Sequence, residues 1–396
     1  MVSIGIFKSV AASISFLCVA TPNNFTSTNF LKVSADYQVD WGDGVFISYT
    51  ANTTASSVAS NADSGLITIK SANSPTTFKF QSNTYTAVDV QQSSTLTSLT
   101  NSFTSMTLMT SFAINDTSNV LDFFKSWEGC QGLTSFPLVD SSSCTRFDNA
   151  WRFCKALTSF PLIDTSAGTQ FDGAWDTCIG LTSFPLLDAS LGTDFTKAWF
   201  DCSALTSFPL VNIASATTLE SAWEGCTSMT SFALINTASV TDFTRAWAGS
   251  AISSMPLINV LLGTDFSQSW INCTSLTSFP VLDMSAALSL SESWSGCTGM
   301  TSFASIITPL VTNYFGSWDN CSALTSFPAI NTAAGTNFSH TWRDCAVLDC
   351  ITQVNTLNQL DTTGMFDGAA LLANPDSIER AAILLGDNYV NSNACP

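Results

Sequence analysis

Tryptophan recurs along this chain at a fixed interval, and that interval is the feature that most restricts the possible folds. One step is a single residue shorter, and all the others are equal. Phe103 and Phe366 occupy the same slot, one interval outside the first and the last of these tryptophans. A unit of about 24 residues cannot bury its own apolar face, so we expect a solenoid of about twelve stacked rungs. The tryptophans, which we expect to form a buried core column, are Trp127, Trp151, Trp175, Trp199, Trp223, Trp247, Trp270, Trp294, Trp318 and Trp342.

The first half of each repeat has helical spacing. In the repeat of residues 147–170, FDNAWRFCKALTSFPLIDTSAGTQ, Phe147, Trp151, Cys154 and Leu157 are separated by four, three and three residues. Apolar residues at these intervals share one face of a helix. The spacing therefore predicts one short helix of about two turns in every rung.

The second half of each repeat predicts a short strand. Leu157, Phe160 and Leu162 match the L-x-x-L-x-L spacing of a leucine-rich repeat, in which each rung adds one strand to a parallel sheet. The Asp or Asn that follows, Asp164 in this repeat, recurs in almost every rung. Asx side chains bond to backbone amides in turns, so we interpret this column as structural rather than catalytic. The repeat at 247–269 is one residue short and carries Ser250 in the Cys slot, which predicts a local kink or slip.

Thirteen cysteines are present, and nine of them fall at one position of the repeat. One thiol per rung predicts a core column rather than a disulfide framework or a metal site. An unpaired column favours folding in a reducing compartment. Cys350 and Cys395 lie outside the column and form a possible pair near the C-terminus. The column consists of Cys130, Cys154, Cys178, Cys202, Cys226, Cys273, Cys297, Cys321 and Cys345.

Composition excludes several classes of function. Asp and Glu total 30 against 12 Lys and Arg, giving a net charge of −18, which argues against binding to nucleic acid or to an anionic membrane. His340 is the only histidine, so most acid–base and zinc chemistry is unavailable. No nucleophile elbow, zinc-protease, phosphate-loop or dinucleotide motif occurs. We expect no catalytic residues, no metal site and no cofactor.

The repeat A-W-x-x-C-x-x-L-T-S-F-P-L-I-D resembles the BspA-like leucine-rich repeats of bacterial surface proteins, in the short variant found in mycoplasma-type surface proteins and phage appendages. The resemblance covers most of the chain, and the run Met365–Pro375 is similar to that family's closing rung. It implies recognition or adhesion rather than catalysis. Tryptophan in place of the family's usual phenylalanine is a departure that enlarges the core.

The two ends lack the repeat. Residues 1–95 contain alternating segments typical of a small antiparallel β domain, and Val39–Gly44, VDWGDG, resembles the turn of PKD-like immunoglobulin-type sandwiches. That resemblance implies Trp41 in the sandwich core and Asp43 bracing the turn. The solenoid is expected over residues 96–372. Residues 373–396 are expected to form a C-terminal cap with one short helix.

Three surface columns remain as a candidate interaction surface. Serine, proline and an aliphatic residue recur at fixed slots, and the proline shortens or bends each strand. If the proline and aliphatic columns are both exposed, they form a long apolar stripe; if the chain bends at proline, they are buried. The residues singled out are Ser159, Pro161, Ile163, Ser183, Pro185, Leu187, Ser207, Pro209 and Val211.

These observations predict a non-enzymatic structural or receptor-binding protein on an extracellular particle, in the first place a phage appendage or fibre on the virion surface. The alternative is a secreted bacterial surface adhesin that uses residues 1–20 as its signal. A carbohydrate-active enzyme is least supported. The expected partners are a protein or glycan on a cell surface, neighbouring virion or surface subunits that contact residues 1–95, and further copies of the chain. Nucleic-acid binding and membrane insertion are not expected.

Overall fold

The structure is a computed structural model that describes residues 16–22, 30–41, 44–56, 67–80, 85–351, 353–354, 361–369 and 389–390. The chain forms two compact units, Met1–Ala167 and Gly168–Pro396. The boundary between the units falls inside the tryptophan repeats, and the division at residue 95 stays a prediction. The proposed signal segment lies almost entirely outside the described residues, as do Asp43, Cys395 and the C-terminal helix.

The first unit begins with an antiparallel β region made of two sheets. The strands are β1 (Phe16–Pro22), β2 (Phe30–Val33), β3 (Tyr37–Asp40), β4 (Phe46–Tyr49), β5 (Thr54–Ser56), β6 (Ile67–Ser71), β7 (Phe78–Phe80), β8 (Tyr85–Gln92) and β9 (Ser111–Ile114). A six-stranded sheet has the order β4-β3-β6-β1-β8-β9, and a three-stranded sheet has the order β5-β2-β7. All neighbouring strands are antiparallel except β8 and β9, which are parallel.

Alternation of side chains explains how this β region packs. Tyr37, Val39 and Trp41 point inward from β3 and are at most 2% exposed, as the period of two requires. The Trp41 indole donates to the Tyr49 hydroxyl over 3.3 Å. The turn after β3 is braced by Asp40, whose carboxylate accepts the Gly44 N–H at 3.0 Å. The PKD-type assignment itself stays a prediction.

The β region continues directly into the first rung of the repeat. Strands β8 and β9 pair in parallel, with Ala87 opposite Ser111. The Phe103 ring lies 5.4 Å from that of Phe78 and 5.9 Å from that of Phe80. These rings cover the core of the first rung, which would otherwise be open to water, so the β region acts as the N-terminal cap that a repeat array requires.

Short parallel strands recur at repeat intervals in the second unit, as predicted. The strands of this unit are β10 (Ser207–Phe208), β11 (Ser231–Phe232), β12 (Ser278–Phe279), β13 (Ser302–Phe303), β14 (Ser326–Phe327), β15 (Cys350–Ile351), β16 (Gln353–Val354) and β17 (Tyr389–Val390). Ser207 is opposite Ser231, and Ser278 is opposite Ser302, so within the β10–β11 and β12–β15 sheets each strand pairs with the same slot of the next repeat. The last two strands, β16 and β17, pair antiparallel.

The predicted helix of each rung is wrong: no helix occurs among the described residues. The segment is instead a series of tight turns, in which Ala222 N–H donates to Leu219 O at 3.0 Å and Cys226 N–H to Trp223 O at 3.2 Å. The remaining amides bond to the next rung, as Trp223 N–H does to Ala246 O at 2.8 Å. Successive turns bring every third or fourth residue to the same side, which reproduces helical spacing without helical hydrogen bonds.

Each of these turn segments contains two residues with positive φ. One lies two positions before the tryptophan, and the other lies two positions after it. Two positions after the tryptophan, Gly225 has φ 76°, but Thr177 and Asp201 have φ of 58° and 52°. Two positions before it, Lys197 has φ 55°. L-residues enter this region at a cost that glycine avoids. The rungs therefore carry strain that the inter-rung hydrogen bonds and the core must offset.

The short repeat at 247–269 keeps the stack of turn segments, although it forms no strand between β11 and β12. Its missing residue comes from the turn after the Cys slot, because Ser250 and Ile252 are two residues apart where Cys226 and Met229 are three apart. Trp247 N–H still donates to Ser269 O at 2.8 Å. The expected slip is therefore absent from the backbone ladder at this rung.

Candidate binding surface

The tryptophans form stacked, buried columns within each unit. In the first unit Trp127 and Trp151 stack at 5.7 Å with an interplanar angle of 3°. In the second unit, successive rings from Trp175 to Trp342 lie 5.3–5.7 Å apart at 2–11°. All ten side chains are at most 1% exposed. The column is thus a core and offers no surface for stacking sugars.

A phenylalanine column from the strands fills the space beside the indoles. Phe208 lies 4.8 Å from Trp199 and 4.9 Å from Trp223, with rings nearly perpendicular to both. The Nε1 atom of Trp223 is buried without an oxygen or nitrogen acceptor. Perpendicular rings at this distance suit edge-to-face contacts and N–H···π donation, which offset part of the cost of the buried donor.

The cysteine column is buried and its thiols are unreactive. The column thiols donate to backbone carbonyls of the preceding rung, as Cys226 does to Trp199 O at 3.3 Å and Cys130 to Phe103 O at 3.2 Å. Burial raises the pKa of the Cys345 thiol to about 12 and that of Cys273 to about 11, in the latter case against hydrogen bonds with Ser250. Because thiolate is the reactive form, these residues are protected from oxidation and exchange. Cys350, outside the column, is disulfide-bonded.

The proline of each repeat reverses the expected orientation of the residues that follow it. Ile163 N–H donates to Pro161 O at 3.0 Å, which closes a γ-turn centred on Leu162. The turn shifts the inward–outward alternation by one residue. Leu162, predicted to be in the core, is 61% exposed, and Ile163 is 2% exposed. Leu187 and Val211 are buried in the same way, so all three aliphatic residues chosen as surface are core residues.

The exposed aliphatic residues stand one position earlier in each repeat. In the first unit they are Leu138 and Leu162. In the second unit five successive rungs present one each, between 58% and 66% exposed, and we refer to these five as the leucine stripe: Leu186, Leu210, Leu234, Leu257 and Val281. The prolines beside them are half-buried, and the serine column is exposed. Among the residues predicted to form the interaction surface, the serines are therefore exposed and the prolines half-buried. These residues are Ser159, Ser183, Ser207, Pro161, Pro185 and Pro209.

Two columns of polar residues hold the turns that flank the strand face. Asp164 Oδ1 accepts the backbone N–H of Ser166 at 2.9 Å and its hydroxyl at 2.7 Å, as expected for the Asx column. A second column, which the sequence analysis missed, repeats this bond at the start of the turn segment: Asp242 Oδ1 accepts the Thr244 N–H at 2.9 Å. The signal for it was an Asp, Asn, Ser or Thr just before the apolar residue that opens most of the repeats.

Charged side chains gather on the turn segments, where they pair with one another. Arg245 Nε donates to Glu224 Oε2 at 2.8 Å, and Arg343 Nε donates to Asp319 Oδ1 at 3.0 Å. Partial burial alone would raise the pKa of Glu224, but the hydrogen bonds from Arg245 lower it overall. The turn face is therefore polar and carries ion pairs, whereas the strand face presents the leucine stripe.

Among the described residues, no group of three or more His, Cys, Asp or Glu side chains is placed to hold a metal ion. Likewise, no helix in the described part of the chain is long and apolar enough to cross a membrane.

Comparisons with known proteins give structural likeness only. No family model matches the chain, and no curated protein matches it significantly. The chain is similar to a leucine-rich repeat protein from Bacteroides ovatus ATCC 8483, with 14% identity, a TM-score of 0.42 and coverage of 71% of this chain and 76% of that one. It is also similar to a leucine rich cell surface protein from Faecalibacterium prausnitzii A2-165, with 15% identity, a TM-score of 0.32 and coverage of 60% and 78%.

Proposed function

We propose that the chain is an extracellular binding protein of a bacterial cell surface, an adhesin whose strand face contacts another protein. The observation that carries the proposal is the leucine stripe. A row of large exposed aliphatic side chains is repeated over five rungs, four of them at the tips of γ-turns, although any of them could be polar without loss of core packing. Exposed apolar rows of this kind are typical of protein–protein contact surfaces.

The cysteines support an extracellular location. The disulfide at Cys350 is a bond that persists in oxidising compartments. The expectation of a reducing compartment depended on the hazard of an unpaired thiol column, and that hazard disappears because each thiol is buried and hydrogen-bonded. The virion location favoured by the sequence gains no support from the comparisons, so we place the cell surface first.

Surface labelling tests the location. Antibody raised against the chain is applied to intact, unpermeabilised source cells, with a cytoplasmic protein as the control. We expect labelling of intact cells and its loss after brief protease treatment. Labelling that requires lysis, or antigen that sediments only with phage particles, would contradict the proposal.

A binding assay tests the role of the stripe. Labelled chain is incubated with intact cells, and Leu210→Asp is compared with Leu191→Asp, a residue that is 53% exposed in the same unit but outside the stripe. We expect the stripe variant to lose cell binding and the control variant to keep it. Equal binding of both variants would show that cells are contacted through another surface.

A further inference from the structure

We propose that the leucine stripe is the contact surface for a second copy of this chain, packed stripe against stripe. The inference rests on the proposed function in one respect only, since it takes the same surface as the site of binding. Three properties of the surface favour a second copy: its extent, its charge and its abrupt C-terminal end.

The extent of the apolar surface matches the requirement of a stable pair. Each stripe residue is flanked by the half-exposed residue before it, proline in four rungs and Ala233 in the fifth. Together these ten residues present on the order of 600–800 Å² of mostly apolar surface, against about 800 Å² per partner in a standard interface. A contiguous patch of this size exceeds what most monomers leave in water.

The charge distribution favours a like-charged partner. The whole chain carries −18, so two copies can approach closely only where charge is absent. Across the strand segments 181–190, 205–214, 229–238, 252–261 and 276–285, the charged residues are Asp188 and Asp283, one at each end. The three central rungs carry Asn212, Asn236 and Asn259 in that slot. A cationic partner would gain nothing from this neutral centre.

The stripe ends abruptly on its C-terminal side, which favours a closed pair over a filament. The next two rungs carry Ser305 and Ala329 in the stripe slot, and both are exposed. A slipped, head-to-tail contact would therefore lose large side chains at every step. A two-fold pair uses the same patch on both copies and buries all five rungs at once.

Self-association of the full chain tests the proposal. Mass is measured by sedimentation equilibrium from about 1 to 100 µM for the wild type, for Leu234→Asp, and for the matched control Leu310→Asp, which is 51% exposed in the same unit but off the stripe. We expect a monomer–dimer equilibrium in the wild type and in the control. Leu234→Asp should raise the dissociation constant by at least about tenfold. Near-ultraviolet circular dichroism verifies that the variants keep the tryptophan packing.

A cross-linking variant tests the geometry without disturbing the fold. Leu234 is the central stripe residue, so it faces itself in any two-fold pair, and Leu234→Cys should form an intermolecular disulfide on mild oxidation while Leu310→Cys should not. A wild type that stays monomeric at the highest concentration, dissociation of both Asp variants alike, or open-ended assemblies would overturn the proposal. If the wild type is monomeric but Leu210→Asp abolishes cell binding, the proposed function stands and only the second copy is refuted. If Leu234→Asp dissociates a wild-type dimer but Leu210→Asp leaves cell binding unchanged, the second copy stands and the proposed role of the stripe in cell binding is refuted.

Discussion

Truncating one indole in the middle of the second unit should be among the most damaging single changes in the protein. Trp223 is fully buried, stacks on Trp199 at 5.3 Å and on Trp247 at 5.7 Å, and meets Phe208 and Phe232 edge-to-face at 4.9 and 4.8 Å. Trp223→Ala removes all four ring contacts and leaves a cavity that backbone-bonded neighbouring rungs cannot close. We expect a loss of about 3–5 kcal/mol in the free energy of unfolding.

Two further variants separate packing from chemistry at this position. Trp223→Phe keeps a ring, and phenylalanine already fills the slot at Phe103 and Phe366. It also removes a buried donor that has no oxygen or nitrogen acceptor, so we expect a loss of about 1–2 kcal/mol. Leu210→Ala, on the exposed stripe, should change stability by no more than about 0.5 kcal/mol. Urea unfolding followed by circular dichroism gives all three values. A Trp223→Ala cost below about 1 kcal/mol would refute a close-packed tryptophan core.

Three other consequences follow from the same geometry. The nine column cysteines should resist iodoacetamide at pH 8 in the native protein and react after denaturation, as read by peptide mass spectrometry; rapid native labelling of Cys226 would contradict its burial. Lys197 has φ 55°, so Lys197→Gly should be more stable than Lys197→Ala by about 1 kcal/mol; equal stabilities would mean that the turn carries no strain. The pKa of Glu224 is lower in the folded than in the unfolded protein, so its stabilisation is complete above the unfolded pKa of about 4.3 and is lost as pH falls through the folded value. Unfolding at pH 7 and pH 3 should therefore show a smaller acid loss in Arg245→Ala than in the wild type, and identical losses would show that this pair does not contribute.

The stacked-rung architecture was predictable because it depends on the constant interval between tryptophans. Tryptophan at a short, constant spacing leaves few arrangements other than stacked rungs, and the parallel strands follow from the Leu-x-x-Phe segment that precedes proline. The helix was wrong for a physical reason: Phe147, Trp151 and Cys154 share a side both in a helix and in a series of turns. The distinguishing signal was present at the slot two residues after tryptophan. Gly129, Gly225, Gly249, Gly296 and Gly368, together with Asn272 and Asn320, favour positive φ there and not a helix interior.

The binding surface was half predictable. The columns of serine and proline were evident, but the sequence offers two adjacent aliphatic residues, such as Leu162 and Ile163, and strict alternation after Phe160 selects the wrong one. The choice depends on the γ-turn in which the Pro161 carbonyl accepts a hydrogen bond from the Ile163 N–H, and Ala233 accepts the same bond from Ile235 without a proline. That bond depends on local backbone geometry, which the pattern of apolar residues does not encode.

The central claim is that the γ-turn exposes one aliphatic residue per rung and buries the next, and hydroxyl-radical footprinting with mass spectrometry tests it most directly. In dilute protein the account predicts strong oxidation of Leu186, Leu210 and Leu234 and protection of their neighbours Leu187, Val211 and Ile235. At high concentration the stripe residues should become protected as copies pair, whereas Leu310 should not. Equal oxidation within each adjacent pair, or the reverse pattern, would contradict the account.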